Sequence, residues 1–600
     1  MNRFMITARS AVTLGFLLLF FSTAALAEIN VEQSESAKLH RIFAQHWERA
    51  LAENPVRASY LGDRRFNQDW QDLSSLARRK RRNGDSQALS DLQGIDRELL
   101  SAGDQLNYVL FKRRYQDRVE GGEFNSHLTP ISHRGGIQTL DEMGNRIRMR
   151  EVSDFEDWLV RLDKIDGPMD QTMALMNEGI AQGIVAPTIL MQRVPAQIKR
   201  QLVTDPEHSP FFKPFIEMPD SFDKATKKRL RARAKATIST TVIPAYHRLN
   251  DYFVKTYQPA TRASISTADL PDGTTYYEYL VRRYTTTEMT PDEVYALGLK
   301  EVARNRSEMH AVMEDVGFTG TLHEFFTYLR TEPKFYYETA DELFDAYLAI
   351  TKRLDPELVQ LFGKLPRMPY GLKRIPDAVA PDTTTAYYTR PAADGSRAGY
   401  YYVNLYKPET RPKWEMEVLS VHEAVPGHHL QIALQQELES MPNFRRYDGF
   451  TAFTEGWGLY SERLGYDLGM YKDPYSKFGQ LTYDMWRAVR LVVDTGMHAK
   501  GWDRQQAINY FMDNAPKTEL DITNEIDRYI DNPGQALAYK LGQLKLIELR
   551  DRAHNKLGGK FDIKAYHDEV LSYGSVPLSV LDDIVNKWIA RRLEQSQKSP

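Results

Sequence analysis

The stretch VHEAVPGHHLQ, residues 421–431, carries the residue types of a metal site in an unusual spacing. In the common zinc-binding pattern H-E-x-x-H, two histidines one helical turn apart face the same ion. His422 and Glu423 match the first half of that pattern. Pro426 stands where the second histidine belongs, and His428 and His429 follow it. The stretch therefore predicts a metal site built on an interrupted helix.

Neither later histidine is well placed on an unbroken helix. His428 would point about 120° away from His422, and His429 would lie about 10.5 Å further along the axis. Pro426 lacks an amide hydrogen and clashes with the carbonyl group four residues earlier, which belongs to His422, and Gly427 loosens the backbone further. We therefore expect local unwinding that returns one of the two histidines to the metal.

The segment TEGWGLYSE, residues 454–462, supplies a candidate third ligand. A hydrolytic zinc site needs three protein ligands, an open position for water and a carboxylate that accepts the proton of that water. Glu455 follows His422 at a distance that allows a helix, a turn and a returning helix. Glu462 lies two helical turns further on and shares its face, which suits an outer support of a ligand. Glu423 is the candidate base.

The surrounding sequence predicts a mostly α protein. Apolar residues recur three and four positions apart through most of the stretch from about 35 to 260 and again after 412. At Thr290-Pro291-Asp292-Glu293 a capping residue, a proline and a glutamate predict the start of a helix. Between about 365 and 406 the aromatic runs AYYTR and GYYYVNLY predict a β-hairpin or small sheet just before the histidine motif. Zinc peptidases of the H-E-x-x-H kind commonly bind substrate backbone along such a sheet edge.

Composition narrows the class of protein. The 600 residues are 42% hydrophobic and 26% charged, with a net charge of −3, which is typical of a large globular chain. The basic run at residues 78–82 is expected to be a solvated helix face, so no nucleic-acid partner is predicted. The chain contains no cysteine. That absence excludes disulfides, a thiol nucleophile, a cysteine-based zinc site and lipid attachment through cysteine.

The N-terminus has the features of a secretory signal. Arg3 and Arg9 precede an apolar run that ends in Ala25-Leu26-Ala27. Residues 1–27 are expected to be removed on export to the periplasm, leaving no stable membrane insertion. We expect residues 28–600 to form a single helical domain, with possible lobes at 28–270 and 271–600.

Several segments together resemble a known family. The chain is similar to the bacterial domain-of-unknown-function family 885, which is grouped with the gluzincin metallopeptidases and resembles Taq carboxypeptidase, thimet oligopeptidase and angiotensin-converting enzyme. The resemblance implies a large helical fold of two lobes with a long substrate cleft. The segments that carry it, in chain order, are YYEYLVRRYTTTEMTPDEVYALGLKEV, HEAVPGHHLQ, TEGWGLYSERLG, RLVVDTGMHAKGW and RYIDNPGQALAYKLGQ.

The resemblance also implies roles for particular residues. Its register favours His428 as the second zinc ligand, with His429 as the alternative or an outer contact, and it aligns Glu455 with the ligand glutamate. Peptidases of this fold use tyrosine or histidine donors at the oxyanion, and His498 and Tyr539 are the candidates.

The resemblance further implies a zinc peptidase fold but no known substrate. Taken with the motif and the N-terminal signal, it leads us to expect an exported zinc metallopeptidase with a preference for oligopeptides or C-terminal residues. Tyr529 is a further candidate for substrate binding. Arg490 and Arg528 are candidates for binding a substrate carboxylate, but the sequence selects neither.

Two other functions remain open at this point. Non-haem Fe(II) oxygenases also use two histidines and one carboxylate, and a metal-free peptide-binding protein could retain the same residues. Glu423 favours hydrolysis, because hydrolysis needs a base beside the first ligand and oxygen activation does not.

The mature chain is predicted to begin at Glu28 and to be recovered in the soluble periplasmic fraction, because the apolar run ends in a small-residue cleavage pattern. N-terminal sequencing of the exported protein measures this directly. A membrane-bound product that begins at Met1 would show that the apolar run is an anchor.

Overall fold

The computed structural model describes residues 35–598, apart from 378–379, 381–383, 394 and 396. The described chain is mostly helical and contains one three-stranded sheet, which confirms the predicted fold class. The predicted signal segment, residues 1–27, lies outside the described residues. Within them, no helix combines the length and the apolar character needed to cross a membrane.

The described residues form two compact units. The smaller unit comprises residues 35–53, 74–123 and 442–444, and the larger unit comprises 54–73, 124–441 and 445–598. The proposed division into lobes at residue 270 stays a prediction. The helices of the smaller unit are α1 (35–53), α3 (Ser75–Gln93) and α4 (Ala102–Gly121). They pack around the rings of Phe43, Phe111 and Phe444, with centroids 4.9–5.2 Å apart.

The larger unit contains the residues of the histidine motif. Its helices before the sheet are α2 (Pro55–Tyr60), α5 (Glu142–Arg146), α6 (Val152–Asp163), α7 (Asp166–Gln182), α8 (Thr188–Met191), α9 (Val194–Lys199), α10 (Lys213–Ile216), α11 (Lys224–Thr237), α12 (Ile243–Tyr252), α13 (Gly273–Thr285), α14 (Pro291–Asp315), α15 (Leu322–Thr331) and α16 (Ala340–Leu354). After the sheet come α17 (Met416–Glu423), α18 (His428–Gln436), α20 (Thr451–Asp467), α21 (Pro474–Ala499), α22 (Arg504–Met512), α23 (Glu519–Asp531), α24 (Leu537–Leu557), α25 (Ile563–Ser572) and α26 (Leu578–Lys598). The short α19 (Asn443–Arg446) crosses the boundary between the units.

Local sequence determines where several of these helices begin. The predicted start at Thr290 is a complete capping box: the amide of Glu293 bonds the Thr290 hydroxyl at 3.3 Å, and the Glu293 carboxylate accepts from the Thr290 amide at 2.8 Å. The same reciprocal bonds start α15 at Thr321 and α16 at Thr339. Each box satisfies amide groups that the first helical turn leaves without partners.

The small sheet precedes the motif, as predicted. It consists of β1 (Tyr370–Arg374), β2 (Ala386–Thr389) and β3 (Gly399–Val403) in the order β1-β3-β2. β2 and β3 pair antiparallel, with Tyr387 opposite Tyr402, whereas β1 pairs parallel to β3. β3 is therefore central and β2 is an edge strand.

Two glycines allow α20 and α24 to approach closely. A Cβ atom at Gly456 would lie 2.5 Å from Cα of Gly542, and one at Gly542 would lie 1.9 Å from the carbonyl oxygen of Ala452. Only residues without side chains fit at this crossing. The contact brings the part of α20 that carries Glu455 against the part of α24 that carries Tyr539, which is among the residues that lower the pKa of Glu455.

Replacing Gly542 with alanine is expected to lower the free energy of unfolding by about 1–3 kcal/mol, because the added methyl group meets backbone atoms that cannot move independently. Urea unfolding followed by circular dichroism measures the change. Gly167→Ala in α7 is the control, since no heavy atom lies within 4 Å of its added Cβ. Equal stability of the two variants would contradict the proposed close crossing.

Candidate metal centre

The histidine motif is split between two helices. α17 ends at Glu423 and α18 begins at His428. The backbone leaves helical geometry at Ala424 (φ −96°, ψ −105°) and Gly427 (φ −74°, ψ −126°). The amide of Gly427 donates to the carbonyl oxygen of Val421 at 3.0 Å and closes the turn. His428 therefore starts a new helix and is not carried around the old one.

His422, His428 and Glu455 bring three donor atoms together. These atoms all lie within 4.8 Å of one another. Oε2 of Glu455 is 3.3 Å from Nε2 of His428 and 3.9 Å from Nε2 of His422. Zinc bonds of 2.0–2.2 Å in tetrahedral geometry separate donor atoms by roughly 3.4 Å. The set therefore fits a zinc ion with little movement.

Electrostatics also couple these three residues. Burial raises the pKa of Glu455, but the hydrogen bond and charge of His428 outweigh burial, and the pKa is lowered. For His428, burial lowers the pKa, yet the carboxylate of Glu455 raises it overall. Each of the two residues thus favours the charged form of the other. The carboxylate that attracts a proton to His428 would equally attract a divalent cation.

Glu462 supports His422 from behind. Its Oε1 lies 2.8 Å from Nδ1 of His422, and its side chain is completely buried. Nη2 of Arg487 approaches the same oxygen at 3.6 Å. A carboxylate on Nδ1 fixes the ring and leaves Nε2 to face the cluster, which is the usual outer support of a metal-binding histidine.

Gly458 makes room for the His422 ring. A Cβ atom at this position would lie 2.8 Å from Cε1 and 2.9 Å from Nε2 of His422. The sequence motifs do not point to Gly458. The one feature of the sequence that could have indicated it is a glycine inside a predicted helix, where glycine is unfavourable unless packing requires it.

Glu423 lies next to the cluster without belonging to it. Burial raises the pKa of Glu423, the charge of His428 lowers it, and Glu455 raises it again. The backbone of Tyr388 on β2 also lowers the pKa of this carboxyl group, and the net shift is upward. Glu423 therefore has both the cluster and β2 as neighbours.

His429 is bonded away from the cluster. Its Nδ1 accepts from the Tyr388 hydroxyl at 2.9 Å, and its Nε2 donates to the carbonyl oxygen of Met368 at 3.0 Å. Both ring nitrogens are thus occupied by bonds that tie α18 to the sheet region. Of the two histidines that sequence left open, His428 is the one brought to His422 and Glu455.

His498 is not brought to the cluster either. Its Nδ1 accepts from the amide of Thr267 at 3.1 Å, and its Nε2 donates to the carbonyl oxygen of Tyr529 at 3.0 Å. It lies eight residues beyond Arg490 on α21, which is about 12 Å along the helix axis. Both ring nitrogens are thus bonded within the protein, and the oxyanion role of His498 stays a prediction.

The two candidate tyrosines have different surroundings. The Tyr539 hydroxyl accepts from Nη2 of Arg528 at 3.2 Å, and its hydrogen bond is among the influences that lower the pKa of Glu455. Tyr529 is buried, and its hydroxyl donates to Glu525 at 2.7 Å and accepts from Arg490 at 2.8 Å. Tyr539 therefore adjoins the site, whereas the predicted substrate contact of Tyr529 is not supported.

Residues 55–585 match the family described as bacterial protein of unknown function (DUF885). The chain belongs to the DUF885 family. No curated protein matches it at a significant level.

Two solved structures resemble this DUF885 protein. One is described as "the putative lipoprotein from Colwellia psychrerythraea", with 30% identity, a TM-score of 0.88, and coverage of 93% of this chain and 99% of that chain. The other, "a putative lipoprotein of unknown function from Shewanella oneidensis", has 17% identity and a TM-score of 0.69, covering 91% and 99%. The second likeness shows the fold alone. The word lipoprotein describes those proteins, and the present DUF885 chain contains no cysteine.

Replacing Gly427 with alanine is expected to weaken zinc binding by about 10–100-fold without removing a ligand, as loss of an outer support does at other metal sites. The added Cβ would stand 1.9 Å from the carbonyl oxygen of His422, so the turn must shift and displace His428. Competitive titration with a chromogenic chelator measures the affinity.

Two further variants calibrate this titration. His422→Ala gives the value for a site that has lost a ligand, and Gly559→Ala, where nothing lies within 4 Å of the new Cβ, is the control. Zinc affinity of Gly427→Ala equal to that of the parent would refute the role of the turn.

Proposed function

We propose that this DUF885 protein is an exported zinc-dependent metallopeptidase of the gluzincin type. The observation that carries the proposal is the convergence of His422, His428 and Glu455 from three helices, with the carboxylate of Glu423 beside them. Three protein ligands with an open position and an adjacent carboxylate are the parts of a hydrolytic zinc site. The two lobes and the substrate cleft of that class belong to this proposal.

The donor set suits zinc, and the neighbouring carboxylate favours hydrolysis. Two imidazoles and one carboxylate would hold Zn²⁺, which, when bound, lowers the pKa of water and polarises a carbonyl group. Fe(II) accepts the same ligands. Glu423 distinguishes the two chemistries, because a residue that accepts a proton from water and returns it to a leaving amine is needed only for hydrolysis.

The edge strand offers a way to hold a peptide. β2 pairs with β3 on one side, so its other edge can accept a further strand. The backbone of Tyr388 on β2 is among the influences that lower the pKa of Glu423, so this strand is a neighbour of the proposed base. A peptide bound along β2 would present its backbone carbonyl groups in sequence beside the cluster.

Tyr539 is the candidate donor to the carbonyl oxygen of the bond that is cut. Its hydroxyl accepts from Arg528 and directs its hydrogen toward Glu455, so it lies beside the proposed ligands, where a carbonyl oxygen bound to the metal would compete for that hydrogen. Donors placed where negative charge develops commonly contribute the largest single share of catalysis in acyl transfer.

Replacing Glu423 with glutamine is expected to keep zinc and the fold but to slow peptide hydrolysis by about 10²–10⁴-fold, since the amide cannot accept a proton from water. The assay offers the zinc-loaded protein a mixed oligopeptide library and reads the products by mass spectrometry. Elemental analysis checks the zinc content of each variant.

Glu439→Gln is the matched control, because Glu439 is an exposed glutamate that follows the end of α18. Parent protein that holds zinc but cuts no peptide would overturn the peptidase proposal. Hydrolysis by Glu423→Gln at the parent rate would overturn only the role of this glutamate.

A further inference from the structure

The small sheet has an inner face toward α18 and an outer face that carries tyrosines. In β3, Tyr401 is buried, whereas Tyr400 and Tyr402 are half-buried, because successive side chains of a strand point to opposite faces. In β2, Tyr387 is the register partner of Tyr402 and lies on the same outer face. The side chain of Tyr388 points to the inner face, where its hydroxyl bonds a histidine of α18 at 2.9 Å.

The rings of Tyr387 and Tyr402 form a stack that runs across the sheet. Their centroids are 4.9 Å apart, and their planes are inclined by 14°. Neighbouring strands are about 4.8 Å apart, so the separation of the rings matches the separation of the strands that carry them. One face of the Tyr387 ring covers Tyr402. The opposite face of that ring is therefore turned toward the open edge of β2.

The hydrogen bonds of the ladder show which residues of β2 face its open edge. The amide of Asn404 donates to the carbonyl oxygen of Thr385 at 3.0 Å, one residue before β2 begins. Bonded and non-bonded pairs alternate along an antiparallel ladder. Tyr387 therefore directs its backbone groups to β3, whereas Ala386 and Tyr388 direct theirs to the open edge. An added peptide strand would bond the backbone of these last two residues.

The open edge lies on the side of the proposed base. The helix α17, which ends at Glu423, packs against β2. The backbone of Tyr388, which faces the open edge, is among the influences that lower the pKa of Glu423. The Tyr388 side chain is bonded to His429, the neighbour of His428 in the chain. A peptide on this edge would therefore run beside the metal cluster.

The pleat of the sheet determines where the side chains of such a peptide would lie. A peptide residue opposite Tyr387 would place its side chain on the outer face, because neighbouring strands share one pleat. That side chain would stand one strand spacing from Tyr387, as Tyr387 stands from Tyr402. An aromatic side chain in this position would add a third ring to the stack. Aromatic pairs attract each other beyond the apolar area that they bury.

Tyr400 is the third tyrosine of the outer face, and its surroundings differ. It is the register partner of Thr389, one row away from the stack of Tyr387 and Tyr402. The Nζ atom of Lys373 on β1 lies 3.9 Å from the centroid of the Tyr400 ring. Tyr400 is thus covered by a cation from β1 and lies on the central strand. Tyr387 is the tyrosine of this face that lies on the edge strand.

We propose that the outer ring face of Tyr387 binds an aromatic side chain of the substrate, so that the enzyme prefers peptides with Phe, Tyr or Trp at one fixed position relative to the bond that is cut. This inference rests on the proposed peptidase function and adds the side chain that is recognised. Tyr402 stands behind Tyr387 and holds its ring at right angles to the path of the peptide.

The test reads the residues around each cut bond when the zinc-loaded parent digests a mixed oligopeptide library. At one position, peptides with an aromatic residue are expected to be cut about 2–10-fold faster than peptides with leucine, the range that an aromatic pair adds beyond burial. Tyr387→Thr is expected to bring this ratio close to one. Threonine is suited to a strand, so the sheet should be retained.

Two matched variants separate the ring from its surroundings. Tyr387→Phe keeps the ring without the hydroxyl and is expected to keep the preference. Tyr400→Thr makes the same change on the same face, but outside the stack, and is also expected to keep it. Thermal unfolding checks the fold of each variant. If Tyr387→Thr unfolds at the assay temperature, Tyr387→Leu replaces it, because leucine keeps apolar bulk and lacks a ring.

A binding measurement supplies a readout that does not depend on catalysis. Its probes are short peptides in which a single Phe or Leu is moved one position at a time. Their binding to Glu423→Gln protein, with and without Tyr387→Thr, is measured by calorimetry. At one position the Phe peptide is expected to bind about 2–10-fold more tightly than the Leu peptide.

The outcomes separate this inference from the proposed function. An aromatic preference at one position that Tyr387→Thr removes and Tyr387→Phe keeps supports the inference. Cleavage by the parent without an aromatic preference, or a preference that persists in Tyr387→Thr, overturns it and leaves the peptidase standing. If the parent cuts no peptide, tighter binding of a Phe peptide that Tyr387→Thr removes supports the aromatic site while the peptidase fails. Equal binding of all peptides, or none, overturns the aromatic site.

Discussion

Two imidazoles six residues apart can face one ion only if the helix between them is broken. An unbroken helix would turn His428 about 120° away from His422. The turn at residues 424–427 ends one helix and starts another, and Gly427 fits there because any side chain would strike the carbonyl oxygen of His422. The position of His428, and with it the choice of His428 over His429, depends on this turn.

The remaining parts of the site are held by packing at glycine. Gly456 and Gly542 allow α20 and α24 to touch, which sets Glu455 beside Tyr539, and Gly458 admits the ring of His422. Buried Glu462 then fixes that ring through Nδ1. Glycine lowers the stability of a helix at each of these positions. Because it has no side chain, it also permits the close approach of a backbone or a ring. The geometry of the donor atoms is thus a property of helix packing as much as of the ligands.

Charges of both signs lie close to the cluster. Glu423, Glu455 and Glu462 surround the histidines, and Arg487 approaches Glu462 at 3.6 Å. The guanidinium carbon of Arg490 lies 4.4 Å from the ring centroid of Tyr539, and the Tyr539 hydroxyl accepts from Arg528. Tyr539 therefore connects the proposed ligand Glu455 to a group of arginines.

The sequence by itself determined the local features of this protein. The capping box at Thr290, the aromatic strands before the motif and the break at Pro426 all follow from residues close together in the chain, because short-range sterics and hydrogen bonds decide them. It also identified His422, Glu423, Glu455 and Glu462 as one group. Only the tertiary structure brought His428 rather than His429 to His422 and Glu455, and bonded His498 and Tyr529 to other partners. Those outcomes depend on contacts between helices that lie far apart in the sequence. The spacing of neighbouring residues does not predict such contacts.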